Sequence, residues 1–144
     1  EDRSSRSMSW EAPSSWTPSS GSKMRLASYS IPYSDGIGDL YLMTLSGDGG
    51  GLEANINRWR NQIGLISETL YSINESADKR INEIGMYYMF EIVNPENSES
   101  AFLCSIIPNN GSTIFVKLTV TLRGVSEIRN DFKYFCDSFK ISNE

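Results

Sequence analysis

The most ordered set of chemically capable side chains lies between Leu52 and Ile63. Leu52, Ile56, Trp59 and Ile63 recur at i, i+4, i+7 and i+11, which stacks them in one apolar stripe on a helix, and Gly64 is a fitting stop. The polar groups sort around that stripe. Asn55, Arg58 and Gln62 border one flank, while Glu53, Asn57 and Arg60 border the other. Two uses fit this pattern. The arginine stems can cover a helix–sheet seam while their guanidinium groups bond loop carbonyls. Alternatively, two guanidinium groups near an aromatic can form a rim for a carboxylate-bearing ligand or partner. Directly before the stripe stands Gly47-Asp48-Gly49-Gly50-Gly51, which reads as a flexible loop leading into the helix. Gly49, Gly50, Gly51, Asn55, Asn57, Arg58, Arg60 and Gln62 are therefore the candidate binding residues. Phosphate binding at the glycine run is disfavoured: no Lys-Ser/Thr pair completes a phosphate loop, and Asp48 and Glu53 would compete with an anion.

The chain contains no histidine. That single fact removes Ser-His-Asp triads, Cys-His pairs and His-ligated metals together. A Ser-Lys arrangement is formally open, but Lys23, Lys79 and Lys117 stand in no spacing that marks an activated amine. The expectation is a protein that is not an enzyme, with no cofactor and no metal centre. Asp35, Asp39 and Asp48 sit among glycines and could offer hard oxygen ligands, yet calcium takes six to eight of them and no EF-hand spacing is present. An ion or small-ligand carrier, or a His-free hydrolase, built near those carboxylates is the competing expectation.

The 13 Lys+Arg against 18 Asp+Glu give a net charge of -5, which repels nucleic-acid phosphates and anionic lipid, so the expected partner is a protein or a small ligand. No run approaches the ~20 apolar residues that span a bilayer. Glu1 to Ser22 is Ser-rich with two prolines and reads as a trimmed, partly disordered lead-in. A signal peptide or upstream lipid anchor is the natural candidate for what preceded it, which points to an exported, periplasmic or envelope-associated protein. Within this lead-in, Trp10 and Trp16 either pin the segment onto the body or present an aromatic contact. Cys104 and Cys136 are too few for a disulfide scaffold and lack zinc spacing. They read either as two small buried hydrophobes or as one disulfide.

These residues need a framework. Alternation predicts a strand over Lys23 to Ile31 ended by Pro32, and a partner strand over Asp39 to Leu45. The helix of Leu52 to Ile63 follows, then an ambiguous stretch to Asn74 and a polar turn over Glu75 to Arg80. Arg80 to Gly85 and Met86 to Val93 suit two strands or one bent strand. Ala101 to Ile107 and Thr113 to Thr121 form a hairpin about Pro108-Asn109-Asn110-Gly111. Val125, Ile128, Phe132, Phe135, Cys136 and Phe139 mark a closing amphipathic helix. The sum is one α+β domain over 23–144, an antiparallel sheet of about five to six strands flanked by two helices.

With those residues in view, the chain resembles a family of small bacterial proteins of unassigned function, many of them predicted lipoproteins, common among planctomycetes. The resemblance runs from Trp10-x-x-Pro13-x-x-Trp16 through Met24-Arg25-x-Ala27-Ser28-Tyr29 and Leu45-x-Gly47-x-x-Gly50-Gly51. It continues over Ala54-Asn55-x-Asn57-Arg58-Trp59-Arg60-x-Gln62-x-Gly64-Leu65 and Phe115-x-Lys117-Leu118, and closes at Phe132-x-x-Phe135-x-x-Ser138-Phe139. That family is similar to proteins of the Mog1/PsbP-like fold, an α/β/α sandwich whose members act as accessory or binding proteins. The resemblance implies the same fold and a non-catalytic accessory or binding role in the cell envelope.

Overall fold

The runs Ala101 to Ile107 and Ile114 to Leu118 turn apolar side chains to both faces, which only strands covered on both sides can satisfy. The structure, a computed structural model that describes residues 6–21 and 23–143, places both runs at the middle of one sheet. In chain order the elements are β1 (Arg6–Ser9), β2 (Thr17–Pro18), β3 (Ala27–Tyr33), β4 (Gly36–Ser46), α1 (Leu52–Gln62) and α2 (Leu70–Ser76). They continue with β5 (Asp78–Ile81), β6 (Met86–Ile92), β7 (Ala101–Asn109), β8 (Ser112–Val120), α3 (Gly124–Asp137) and β9 (Lys140–Asn143). Seven strands pair antiparallel throughout in the order β2-β3-β4-β8-β7-β6-β5, and β1 pairs with β9 in a separate ribbon.

Strand alternation divides the core into two layers. Leu40, Leu42, Leu103, Ile107, Val116 and Leu118 face α3, whose Ile128, Phe132 and Phe135 cover them. Phe90, Ile92, Phe102, Cys104, Ile106 and Phe115 face the other way, under Ile56, Trp59 and Ile63 of the α1 stripe and Ile73 of α2. This is the α/β/α sandwich. Asn110 and Gly111 take positive φ at the two-residue turn that sets the β7–β8 register, Asn109 opposite Ser112. Gly64 takes φ +88 just past α1, and the Leu65 and Gly64 amides donate to the Arg60 and Asn61 carbonyls, closing the helix in a Schellman cap.

Several elements differ from their sequence reading. The sheet has seven strands instead of five or six, and three helices are present, because β2 is too short for alternation to show and α2 buries only Ile73. The stretch read as a polar turn holds the end of α2 and the edge strand β5. Pro32 does not end β3. It sits opposite Ile37, while β2 reaches only Tyr29 and Ser30, so its missing N–H falls where no neighbour asks for one.

The lead-in contributes directly to the fold from residue 6 onward; residues 1–5 and Ser22 lie outside the described residues. Trp16 is 4% exposed and lies 4.9 Å, centroid to centroid, from Phe135. Trp10 stacks on Phe139 at 5.4 Å and donates its indole N–H to the Tyr29 hydroxyl at 2.9 Å. Large aromatic area outweighs the serine-rich composition around it. The buried Trp16 N–H has no acceptor among the described residues.

Trp16→Ala is expected to destabilise the protein by about 3–5 kcal/mol in chemical denaturation, the range for emptying a large aromatic site. Trp16→Phe should lose far less, since it keeps a ring and removes the unpaired N–H. A loss below about 1 kcal/mol for the alanine variant would show that the N-terminal segment is not part of the core.

Candidate functional site

The glycine loop is tied to its surroundings by hydrogen bonds instead of hanging free. The Gly47 amide donates to the Gly111 carbonyl, the Gly49 amide to the Ser46 carbonyl and the Gly51 amide to the Asp48 carbonyl. Asp48 Oδ1 accepts from the Gly50 amide at 3.1 Å, and Thr113 Oγ1 donates to the Gly47 carbonyl at 2.7 Å. Asn55, only 3% exposed, clamps the loop from above through Nδ2, which donates to the Gly49 and Gly51 carbonyls at 3.0 and 2.7 Å. Gly49 must lack a side chain, because a Cβ there would stand 2.5 Å from the Phe115 ring. With its amides already paired and a carboxylate folded across it, this loop does not present an anion cradle.

The two polar flanks of α1 do different work. On one, Asn57 Nδ2 donates to the Glu68 carbonyl at 2.9 Å and its Oδ1 accepts from the Glu68 amide at 2.8 Å. Arg60 Nε donates to the Ile66 carbonyl, and Arg60 also pairs with the Glu68 carboxylate at 3.5 Å. These contacts splint the irregular chain between α1 and α2, as long stems and fixed donors can. Beside this flank a surface pocket of about 510 Å³ opens, lined among others by Gly50, Gly51, Leu52, Asn57 and Leu70. A second pocket, about 360 Å³ and mostly apolar, lies across the loop between Leu52, Tyr88, Ile106 and Pro108.

On the other flank Arg58 is exposed, with its guanidinium 5.7 Å from the centre of the Trp59 ring. Gln62 accepts through Oε1 from Lys117 Nζ at 2.8 Å. Lys117 is 7% exposed and lies 4.1 Å from the Phe102 ring centre and 5.6 Å from that of Trp59. Burial pushes its amine below the usual lysine value, and the Arg58 charge pushes the same way. On sequence, Lys117 is weighed only as a catalytic amine and is not marked as a binding residue. The available signal was one charge inside the otherwise apolar run Ile114 to Leu118.

The three aspartates are not brought together. Asp35 accepts from Thr121 Oγ1 at 3.3 Å, Asp39 pairs with Arg25 at 3.3 Å, and Asp48 is spent on Gly50. No group of three potential metal ligands occurs among the described residues. Cys104 and Cys136 are free thiols, so the disulfide alternative is corrected: Cys104 faces α1, whereas Cys136 belongs to the α3 layer, where the Ser105 hydroxyl donates to its sulfur at 3.1 Å. The sheet separates them. Burial raises both thiol pKa values, that of Cys136 to about 12.

One further titratable cluster ties β5 and β6 to the end of α3. The Tyr87 hydroxyl donates to Asp137, and Arg80 donates to the Tyr87 oxygen at 3.2 Å and to Asp137 at 2.7 Å. Burial alone would raise the Asp137 pKa, but the hydrogen bonds from Arg80 and Tyr87 outweigh it and hold the carboxyl below its usual range.

No family model matches this sequence, and no curated protein matches it. Among solved structures, the cyanobacterial PsbP (CyanoP) of Synechocystis sp. PCC 6803 superposes with a TM-score of 0.59 at 15% identity, covering 98% of this chain and 89% of that one. A protein from Bacteroides thetaiotaomicron gives a TM-score of 0.54 at 13% identity, covering 95% of this chain but only 46% of that one. LpqN of Mycobacterium tuberculosis, described as involved in cell envelope biogenesis, gives 0.49 at 10% identity, covering 98% and 86%. The first shows that this chain has the PsbP-like α+β fold.

Two outcomes follow from this geometry. Asn57→Ala should lose about 1–3 kcal/mol by orphaning both Glu68 backbone groups, and Arg60→Ala about 1 kcal/mol, while Arg58→Ala stays within about 0.5 kcal/mol. Equal losses at Arg58 and Asn57 in urea titrations would contradict the division of flanks. For Asp137, a depressed folded pKa means stabilisation that is present above the unfolded value near 3.9 and is lost as pH falls through the folded value. Thermal melts from about pH 5 downward should therefore show a shallower decline for Asp137→Asn than for the natural sequence.

Proposed function

We propose that this protein is a non-catalytic accessory module of the bacterial cell envelope, which holds a protein partner where the glycine loop, the Asn57 flank of α1 and α2 converge. The observation that carries this reading is the 510 Å³ pocket. Its lining joins Gly50, Gly51 and Asn57, marked by sequence as binding residues, to the half-exposed Leu70. Next along the chain from Leu70 stands Tyr71, 74% exposed, and Ile66, in the connection between α1 and α2, is 81% exposed. Exposed large apolar groups next to a pocket on a braced scaffold are the usual make-up of a contact surface. The histidine-free sequence supports a binding role over a catalytic one. The envelope location is supported by the resemblance to predicted lipoproteins.

This reading revises the role of the arginines. Arg60 serves the loop between α1 and α2, so its loss would act through stability, whereas Leu70 and Tyr71 can be changed on the surface. A carrier of a small apolar ligand is the second reading, favoured by the mostly apolar pocket of about 360 Å³ between Leu52 and Pro108.

Crosslinking pull-downs from an envelope fraction, comparing the natural sequence with Leu70→Glu/Tyr71→Ala, test the first reading. A specific protein captured by the former and lost with a folded variant is the expected result. Capture unchanged by the variant would place the contact elsewhere, and capture of nothing by either, with apolar compounds quenching tryptophan fluorescence, would favour the carrier.

A further inference from the structure

Lys117 stands in the middle strand β8 with Tyr41 beside it on β4 and Cys104 on β7, all on the face that α1 covers. A lysine 7% exposed normally has a carboxylate partner, because an unpaired buried charge costs several kcal/mol. Among the described residues this one has none. Its ammonium group has three donors, and among the described residues its one hydrogen-bond acceptor is Gln62 Oε1, with the faces of Phe102 and Trp59 also against it.

A second cation adds to the excess. Arg58 lies over the same Trp59 ring at 5.7 Å and makes no ion pair among the described residues. Arg25 sits 4.6 Å from the centre of the Tyr41 ring, but Asp39 already neutralises it. Two basic groups without a carboxylate partner among the described residues thus lie by one ring, Trp59, in a protein whose net charge is -5. Gln62 and Arg58 are exposed and Tyr41 is half-buried, so flexible side chains form the rim around the lysine.

We propose that Lys117, Arg58, Gln62 and Tyr41 form a binding site for an oxyanion, a carboxylate or a phosphate, which supplies the counter-charge that the fold withholds from Lys117. Charge-assisted bonds from Lys117 and Arg58 would hold two anion oxygens, with the Tyr41 hydroxyl as a further donor. The site lies on the Arg58 flank of α1, opposite the Asn57 flank assigned to the protein partner, and stands whether or not that assignment does. It also differs from a helix N-terminal anion site, since the glycine loop amides take no part.

The test is a titration of ¹⁵N-labelled protein with sodium phosphate and, separately, sodium acetate at pH 7, each against sodium chloride at matched ionic strength. The expected result is saturable shifts at the Lys117 and Arg58 amides and the Gln62 side-chain amide that chloride does not reproduce; whichever anion saturates first names the oxyanion. Lys117→Met, which keeps the stem against Trp59 and Phe102, should weaken binding by about tenfold or more. Should that variant fail to fold, Arg58→Ala changes an exposed residue and should weaken binding by about two- to fivefold. Shifts scattered over the exposed lysines and arginines without saturation, or affinity unchanged in a folded variant of either residue, would overturn the site.

Discussion

The rest of the structure depends on a hairpin that has no face for water. Along β7 every residue from Ala101 to Ile107 is buried, and along β8 every residue from Thr113 to Leu118. Such a pair is unstable until both of its sides are covered, so each other element is positioned by what it must hide. α3 and the two N-terminal tryptophans close one side. α1 closes the other, with α2 tucked against it. The double cover explains how a chain of 144 residues forms two separate apolar layers.

α1 illustrates how a cover acquires chemistry. Its apolar stripe is fixed by the sheet beneath, which leaves two polar borders in fixed positions at the edges of the contact. Asn55 turns one end of the helix into a clasp on the glycine loop, and Asn57 with Arg60 splints the chain beyond its C-terminus. Side chains that a sequence motif singles out can therefore be structural and still define a surface, because the pockets beside Leu52 exist only while the loop is held. Of the motif's two arginines, Arg58 is the one left facing solvent without such a task.

How much was legible follows from which signals are local. The Asn110-Gly111 turn, the Leu52/Ile56/Trp59/Ile63 stripe with its Gly64 stop, and the arc from Val125 to Phe135 are encoded within a few residues, and each stands where periodicity places it. What escaped depends on distant partners. Thr17-Pro18 is a strand only because Tyr29 and Ser30 lie alongside, and of the two roles open to Trp16 it is Phe135, there to receive it, that decides for the anchor. Pro32 reads as a stop until the open edge of β3 makes its missing donor harmless. The same holds for the chemistry. Asn55 and Asn57 were visible as a motif but not as loop clamps, Arg60 took the loop-carbonyl role that was one of the two uses open to it, and Lys117 gained meaning only when α1 closed over it. Cys104 and Cys136 could be read as a bond until the sheet was seen to stand between them.

The ribbon of β1 and β9 pairs Arg6 with Asn143 and Ser9 with Lys140, so the described residues begin and end side by side. Tension applied between the two ends would not shear this ribbon. It would peel it, breaking one residue pair at a time, while the seven-stranded sheet carries no load until the four pairs are gone. A tether at either end would hold the domain by the same corner, and the ribbon would act as a mechanical fuse in front of the core.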